Sequence, residues 1–373
     1  DRWQRLRSAP PAQQDLLLRA DGTLSRPGST ERLPDAPAVS PVLHRPFDRR
    51  YLLTEECCLD QPRPHLWQVA GPRQVYVVAP HARPPASGPG LLFGSLVPGA
   101  DCFTGRSRVL PLYRDPEGAV PNLTPGLLPY LADRLGLLIS PEDLVAYLAA
   151  VIAHPGYPAV FRAEQAAAGV GVPLTADARL WAEAVALGRE VVWLHTFGQR
   201  FTDPEAGRPP GPPVLPEGER PEVAVAVPDS PAAFPDRVRY DGDTGVGGHR
   251  LRVGGGVIAR VRPEVWRYDV GGVPVVRSWF GARRRFPHGG RLSPLDRVRP
   301  DRWSPRRTGE LLELLTVLTR LVRLEPRQAD LLGRVRGGPL VTVADLTAAG
   351  VLPVPEGART PPPLDGQLEL PLD

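Results

Sequence analysis

Forty-eight prolines and 38 glycines punctuate a chain of 373 residues, and this density of breakers constrains the fold more than any other feature. Proline removes a backbone donor and fixes φ, while glycine loses the most backbone entropy when ordered. Long regular elements are therefore few, and short strands and helices joined by many loops are expected. An apolar share of 42% still supplies an ordinary core. The length suits two or three compact lobes.

The segment Pro11–Gly22 predicts one short helix inside a connector over residues 1–40. From His44 to Tyr113 the β-prone runs YLLT, LWQV, VYVVA and VLPLY alternate with Pro and Gly clusters, the spacing of a sheet-rich lobe. Ser140 as N-cap, Pro141 in the first turn and the acids Glu142 and Asp143 open a helix that Pro155 stops. Leu144, Leu148, Val151 and Ile152 place its apolar residues on one face. A second helix is predicted from Asp177 to about Phe197, and the lobe with its helical layer spans 41–202. Ten prolines in residues 203–235 predict an extended linker or loop without regular structure. Beyond it, RVRYD, HRLRV, GVIARV, EVWRYDV and VPVVRSW read as strands, with Gly271-Gly272 as a hairpin turn between the last two. A helix from about Gly309 to Leu324, ended by Pro326, completes a lobe over 236–352. Residues 353–373 read as a disordered tail.

No lysine occurs, so all 45 basic residues are arginine. A phosphate-binding P-loop and the common nuclease core both need a lysine, which excludes ATP-driven translocation and standard nuclease cleavage in this chain. The net charge of +4 is unevenly spread. Residues 142–235 carry six arginines against twelve acids, a net of −6, whereas residues 236–308 carry seventeen against seven, a net of +10. The second lobe is built to meet an anion.

Cys57, Cys58 and Cys102 suit neither a disulfide framework nor a paired-cysteine zinc site, and they point to a reducing cytoplasm. No run of 18 apolar residues supports membrane insertion. The chain starts without methionine and contains none, so a piece of a longer protein is expected. Each Pro-Pro pair is followed by Ala, Gly, Val or Leu. That excludes the amino-methyltransferase loop, which needs an aromatic ring there to stack on a flipped base. Seven scattered histidines give no metal spacing. The glycine run Gly254–Gly256 reads as a turn rather than a phosphate cradle. Three consecutive guanidiniums, Arg283, Arg284 and Arg285, lie next to Trp279 and Phe286 and suit phosphate contact, with a solvated surface run as the alternative. Trp266, Tyr268 and Trp279 read as core packing before base stacking.

Several phrases together resemble the type ISP restriction-modification family. HRPFDRRY (44–51) is similar to its Arg-Pro-Phe-Asp-x-Arg block, and PLYRDPEGAVPNLTP (111–125) to its PLY…PNL stretch. Residues 140–161 and 171–195 resemble the two helical blocks that follow, the second ending in Leu-His. VWRYDVGGVPVVRSWFGAR (265–283) resembles its Gly-Gly block, although Val273 stands where the family usually has an aromatic. The resemblance covers roughly residues 40–325.

The resemblance implies the C-terminal target-recognition region of an adenine-specific DNA methyltransferase part. Its fold is expected to be α+β, with β-rich lobes, an inserted helical layer and a C-terminal helix. Expected partners are double-stranded DNA and a methyltransferase domain or separate catalytic chain, in the cytoplasm and with no membrane. No catalytic or metal-binding residue is expected. S-adenosylmethionine would belong to the methyltransferase domain, with no cofactor in this chain. Candidate DNA-binding residues are Arg45, Arg49, Arg50, Arg277, Arg283, Arg284 and Arg285. For Arg45-Pro46-Phe47-Asp48 a structural reading stands beside the functional one, in which Asp48 pairs with Arg45 or Arg49 and Phe47 fills the core. The alternative function is a protein-interaction module that docks on a methyltransferase or defence partner without DNA contact.

Overall fold

The computed structural model describes residues 23–26, 29–32, 38–54, 63–81, 85, 87–242, 248–284 and 302–364. The predicted helix at 11–22, Cys57, Cys58, Arg285, Phe286 and the last nine residues lie outside them. The α+β class holds: small sheets surround a helical centre.

Strands β1 (Thr23–Arg26) and β2 (Ser29–Arg32) form a hairpin. Strands β3 (Val39–Arg45) and β4 (Asp48–Leu53) form another. The run LWQV, expected as a strand, is the short helix α1 (Pro64–Gln68); Pro64 supplies the preset φ of a first helical position and overrides the β-prone composition. Strand β5 (Tyr76–Pro80) lies between β6 (Leu92–Gly94) and β8 (Ser107–Pro111), while β7 (Val97–Pro98) pairs in parallel with β3. Tyr76, Val77, Val78 and Ala79 are all buried, so β5 is covered on both faces.

Helix α2 (Leu127–Leu135) leads to α3 (Pro141–Ile152). Ser140 Oγ accepts from Asp143 N–H and the Asp143 carboxylate accepts from Ser140 N–H, a capping box worth about 1 kcal/mol. Eight of the twelve residues of α3 are buried, so it is a central helix rather than the one-faced helix its periodicity suggests. Helices α4 (Gly156–Val160) and α5 (Arg162–Ala168) and strand β9 (Leu174–Thr175) lead to α6 (Ala178–His195), which Asp177 caps through Arg179 and Leu180 N–H. Helices α3 and α6 touch so closely that a Cβ at Gly188 would lie 1.7 Å from Ala146 O.

The proline-rich stretch, expected to lack regular structure, contains β10 (Glu222–Val225), which lies in its longest proline-free run, residues 222–227. It edges a four-stranded antiparallel sheet with β11 (Val238–Asp241), β12 (Arg250–Val253) and β13 (Gly256–Ala259), in the order β10-β13-β12-β11. Gly254, at φ +56°, turns β12 into β13. Helix α7 (Pro263–Arg267) and helix α8 (Val275–Gly281) flank a hairpin of β14 (Asp269–Val270) and β15 (Val273–Pro274). The Gly271-Gly272 turn is as read, with both φ values positive. The longer strands expected around it are helices, opened by Pro263 and by the residue after Pro274.

Helix α9 (Pro305–Gly337) runs 33 residues and contains Pro326, which does not end it. A helix-interior proline costs about 3 kcal/mol, here offset by packing on both sides. Leu315, Leu318 and Leu321 are buried before Pro326, and Gln328, Leu331 and Val335 after it, with Gln328 donating to Ala149 O of α3. Strand β16 (Leu340–Val341) pairs with β9, and α10 (Val343–Ala348) and α11 (Glu356–Arg359) follow. In the tail beyond Pro353, read as disordered, the described residues are held where Arg114 and Gln68 donate to the carbonyls of Thr360 and Pro363. One apolar cluster includes Leu43, Tyr147, Val227, Tyr268 and Val341, so both β-rich regions share a core with the helices.

Candidate functional site

Arg45-Pro46-Phe47-Asp48 is the tip of the β3–β4 hairpin, with Arg45 paired to Asp48 across it. Proline before a residue at positive φ is the pattern of a type II turn, and Phe47 takes φ +59° where glycine is usual. Such a residue costs about 1–3 kcal/mol unless its surroundings fix it. Phe47 is buried, its ring edge-on to His195 at 5.1 Å, Phe197 at 6.3 Å and Tyr268 at 6.2 Å. The hairpin tip thus points into the core.

Asp48 is 1% exposed. It accepts from Arg50 Nε at 2.9 Å and Nη2 at 2.7 Å. Its other oxygen lies 2.7 Å from Arg283 Nη1, a charge contact off the hydrogen-bond line. The expected partners were Arg45 or Arg49. Cross-strand geometry carries Arg49 to the other face of β4 from Asp48 and Arg50, since successive strand residues alternate, and Arg45 instead donates to Ser278 Oγ at 3.2 Å.

Arg283 is only 11% exposed. Its guanidinium lies 4.0 Å from the Trp279 ring centroid and donates to Trp279 O and Arg49 O. Burial lowers its pKa and the Asp48 carboxylate opposes that shift. Arg283, read with its two neighbours as suited to phosphate contact, has a local carboxylate in Asp48 and serves as a strut. Arg284 and Arg277 are exposed, with Arg277 5.3 Å from the Trp266 ring. Arg285 lies outside the described residues. Trp279 and Tyr268 are core residues, and Trp266 is half-buried against Tyr240.

Arg49, Arg50 and Arg283 line a cleft of about 480 Å³ whose opposite wall is the start of α9, with Arg306, Glu310 and Glu313. Arg49 stacks 3.8 Å from the Phe197 ring centroid and donates to Glu313 Oε2 at 2.6 Å. Arg306 pairs with Glu310 at 3.1 Å. Arg45, Arg277 and Arg284 are not among the lining residues. Arg306, Glu310 and Glu313 were missed in the sequence. A signal for Arg306 existed: it and Arg307 occupy the first turn of a helix, where the macrodipole disfavours cations.

The cleft therefore presents guanidinium forks held in place by carboxylates and an aromatic ring. Such groups suit planar acceptors and do no bond chemistry themselves. Elsewhere, burial holds His195 neutral, with its pKa lowered to about 3, and Nδ1 accepts from Phe93 N–H. Among the described residues no group of three His, Cys, Asp or Glu could hold a metal ion.

The profile of the type ISP C-terminal specificity domain matches residues 20–314. A search of the curated proteins finds no match. Among solved structures, the chain is similar to a nuclease-deletion mutant of the type ISP restriction-modification enzyme LlaGI in complex with a DNA substrate mimic, at 15% identity and TM-score 0.51, covering 80% of this chain and 21% of that one. It is similar to DrdV in a DNA complex, at 18% identity and TM-score 0.55, covering 82% and 29%. It is also similar to the ATP-dependent type ISP enzyme LlaBIII bound to DNA, at 14% identity and TM-score 0.53, covering 81% and 19%. At these identities the likeness is one of fold. The chain spans less than a third of each of those proteins.

Proposed function

We propose, given that the chain belongs to the type ISP C-terminal specificity domain family, that it reads a short asymmetric sequence in duplex DNA for a methyltransferase carried by another domain or chain. The observation that carries this reading is the cleft. It brings Arg49 and Arg50 opposite Arg306, Glu310 and Glu313 although Arg49 and Glu313 are 264 positions apart. A guanidinium fork matches guanine O6 and N7, and a carboxylate accepts from the cytosine amino group. Arg49 and Arg50, 30% and 29% exposed, would meet DNA, Arg277 and Arg284 would hold phosphates beside them, and Arg283 would position the cleft wall. S-adenosylmethionine would be held by the methyltransferase. Among the described residues no helix is long and apolar enough to cross a membrane, and a DNA-reading role would place the chain in the cytoplasm.

The test is retention of random duplexes by the purified chain across a salt series, followed by sequencing. Enrichment of one motif with salt-sensitive affinity is expected. Arg49→Ala should relax one base position at a cost of about 1–3 kcal/mol. No retention at low salt would overturn the reading in favour of a protein-docking module.

A further inference from the structure

We infer that the edge ribbon formed by β11 and β12 is a second DNA contact, which grips backbone phosphates and takes no part in base reading. The inference rests on the DNA-binding function proposed above but concerns a surface outside the cleft. In the sheet order β10-β13-β12-β11, β11 is an edge strand. Its register pairs Val238 with Val253, Arg239 with Arg252, Tyr240 with Leu251 and Asp241 with Arg250. Leu251 and Val253 are fully buried, so Val238 and Tyr240 share the core face. Arg239, Asp241, Arg250 and Arg252 occupy the opposite face by alternation.

Arg239 and Arg252 are thus like charges directly across a strand pair, an arrangement that destabilises a sheet. One carboxylate, Asp241, shares the face on these two strands and pairs with Arg252, which remains 53% exposed. Arg239 is exposed and has no acidic partner among the described residues. Glu222, on the far edge of the sheet, is taken by Arg260 at 3.0 Å. Folding gains nothing from opposing these two guanidiniums, whereas DNA phosphates set against them, one to each, would turn repulsion into charge-assisted hydrogen bonds. Leu251 and Val253 fasten the ribbon to the core, so the guanidiniums sit on a rigid, open surface.

The experiment compares wild type with Arg239→Ala/Arg252→Ala, using a fluorescent duplex carrying the sequence that the wild type selects and a scrambled duplex, each titrated from low to high salt. Loss of two phosphate contacts is expected to make the slope of log K against log salt shallower by about 1.8 for both duplexes, and to weaken both on the order of 60-fold at 0.1 M salt. The preference for the selected sequence should stay unchanged, and the thermal midpoint should hold or rise as repulsion is removed. Arg239→Ala alone, which breaks no ion pair, should give about half the slope change and guards against misfolding of the double variant. If the wild type binds and the variants keep its slope, or if only the selected duplex is weakened, the ribbon assignment falls while the DNA reading stands. If the wild type binds neither duplex, both fall.

Discussion

Replacing Asp48 by Asn removes the one charge shared by Arg50 and Arg283 and leaves Arg283, 11% exposed, in its place. Breaking a buried pair by deleting one partner costs about 3–5 kcal/mol, because the remaining charge stays buried. Two features set the expectation at the lower end. Glu310 lies 3.9 Å from Arg283 Nε and still opposes its charge, and the more exposed Arg50 can turn to water, where an ion pair is worth about 1 kcal/mol or less. We expect a loss of about 3 kcal/mol, which at an m-value of about 3 kcal/mol/M lowers the urea midpoint by about 1 M. The assay is equilibrium urea denaturation followed by tryptophan fluorescence, since Trp279 packs against Arg283. The double variant Asp48→Leu/Arg283→Met should recover to within about 1 kcal/mol of wild type, because an apolar pair often replaces a buried ion pair at little cost. A midpoint for Asp48→Asn within 0.3 M of wild type (roughly 1 kcal/mol) would refute the strut.

Gly188→Ala should destabilise by about 2–3 kcal/mol, since its Cβ would meet Ala146 O at 1.7 Å and backbone must move; differential scanning fluorimetry would show the drop. Pro326→Ala should stabilise by about 1–3 kcal/mol, because alanine restores a donor to an unbroken, well-packed helix; a lower melting temperature would contradict that account. Burial lowers the pKa values of His44 and His154 to about 4 and that of His195 to about 3, so the folded chain keeps them neutral while the unfolded chain protonates near 6.5. Their stability contribution is present above pH 6.5 and is lost as pH falls through about 4, with a slope of up to about 1.4 kcal/mol per pH unit for each. Glu325 has the opposite sign. Burial, with Asp269 and Glu264 nearby, raises its pKa to about 7, so its contribution is present below about 4.5 and is lost as pH rises through 7. Glu325→Gln should therefore gain most over wild type at pH 8 and nothing at pH 4, as measured by urea denaturation at the two pH values.

Where a signal is local, the chain was readable. Ser140, Pro141 and Asp143 fix one helix start and Asp177 another, and Gly271-Gly272 marks a hairpin turn because only glycine takes two positive φ values cheaply. Composition misled where one capping proline outweighs it, as at Pro64 and Pro263, and where tertiary packing does, as at Pro326. The candidate site was half legible. Arg49 and Arg50 stand out as charges in a β-prone run, and both line the cleft. The acid that holds Arg283 was not legible, because Asp48 lies near the other end of the sequence and no periodicity reports an ion pair over such a span. Glu310 and Glu313 look like ordinary surface positions on a helix until the β3–β4 hairpin faces them.

The inward-pointing tip at Phe47 also sets an order of folding. Its ring closes against His195, Phe197 and Tyr268, and Arg283, which braces the residue next to it, reaches back 234 positions to Arg49. Contacts of such long range are slow to form because loop closure must precede them. Synthesis from the N-terminus makes the hairpin early, yet its strained turn gains its full support only after most of the chain has emerged. Phe47 would then stay exposed during that interval, and the cleft would be among the last parts of the molecule to take shape.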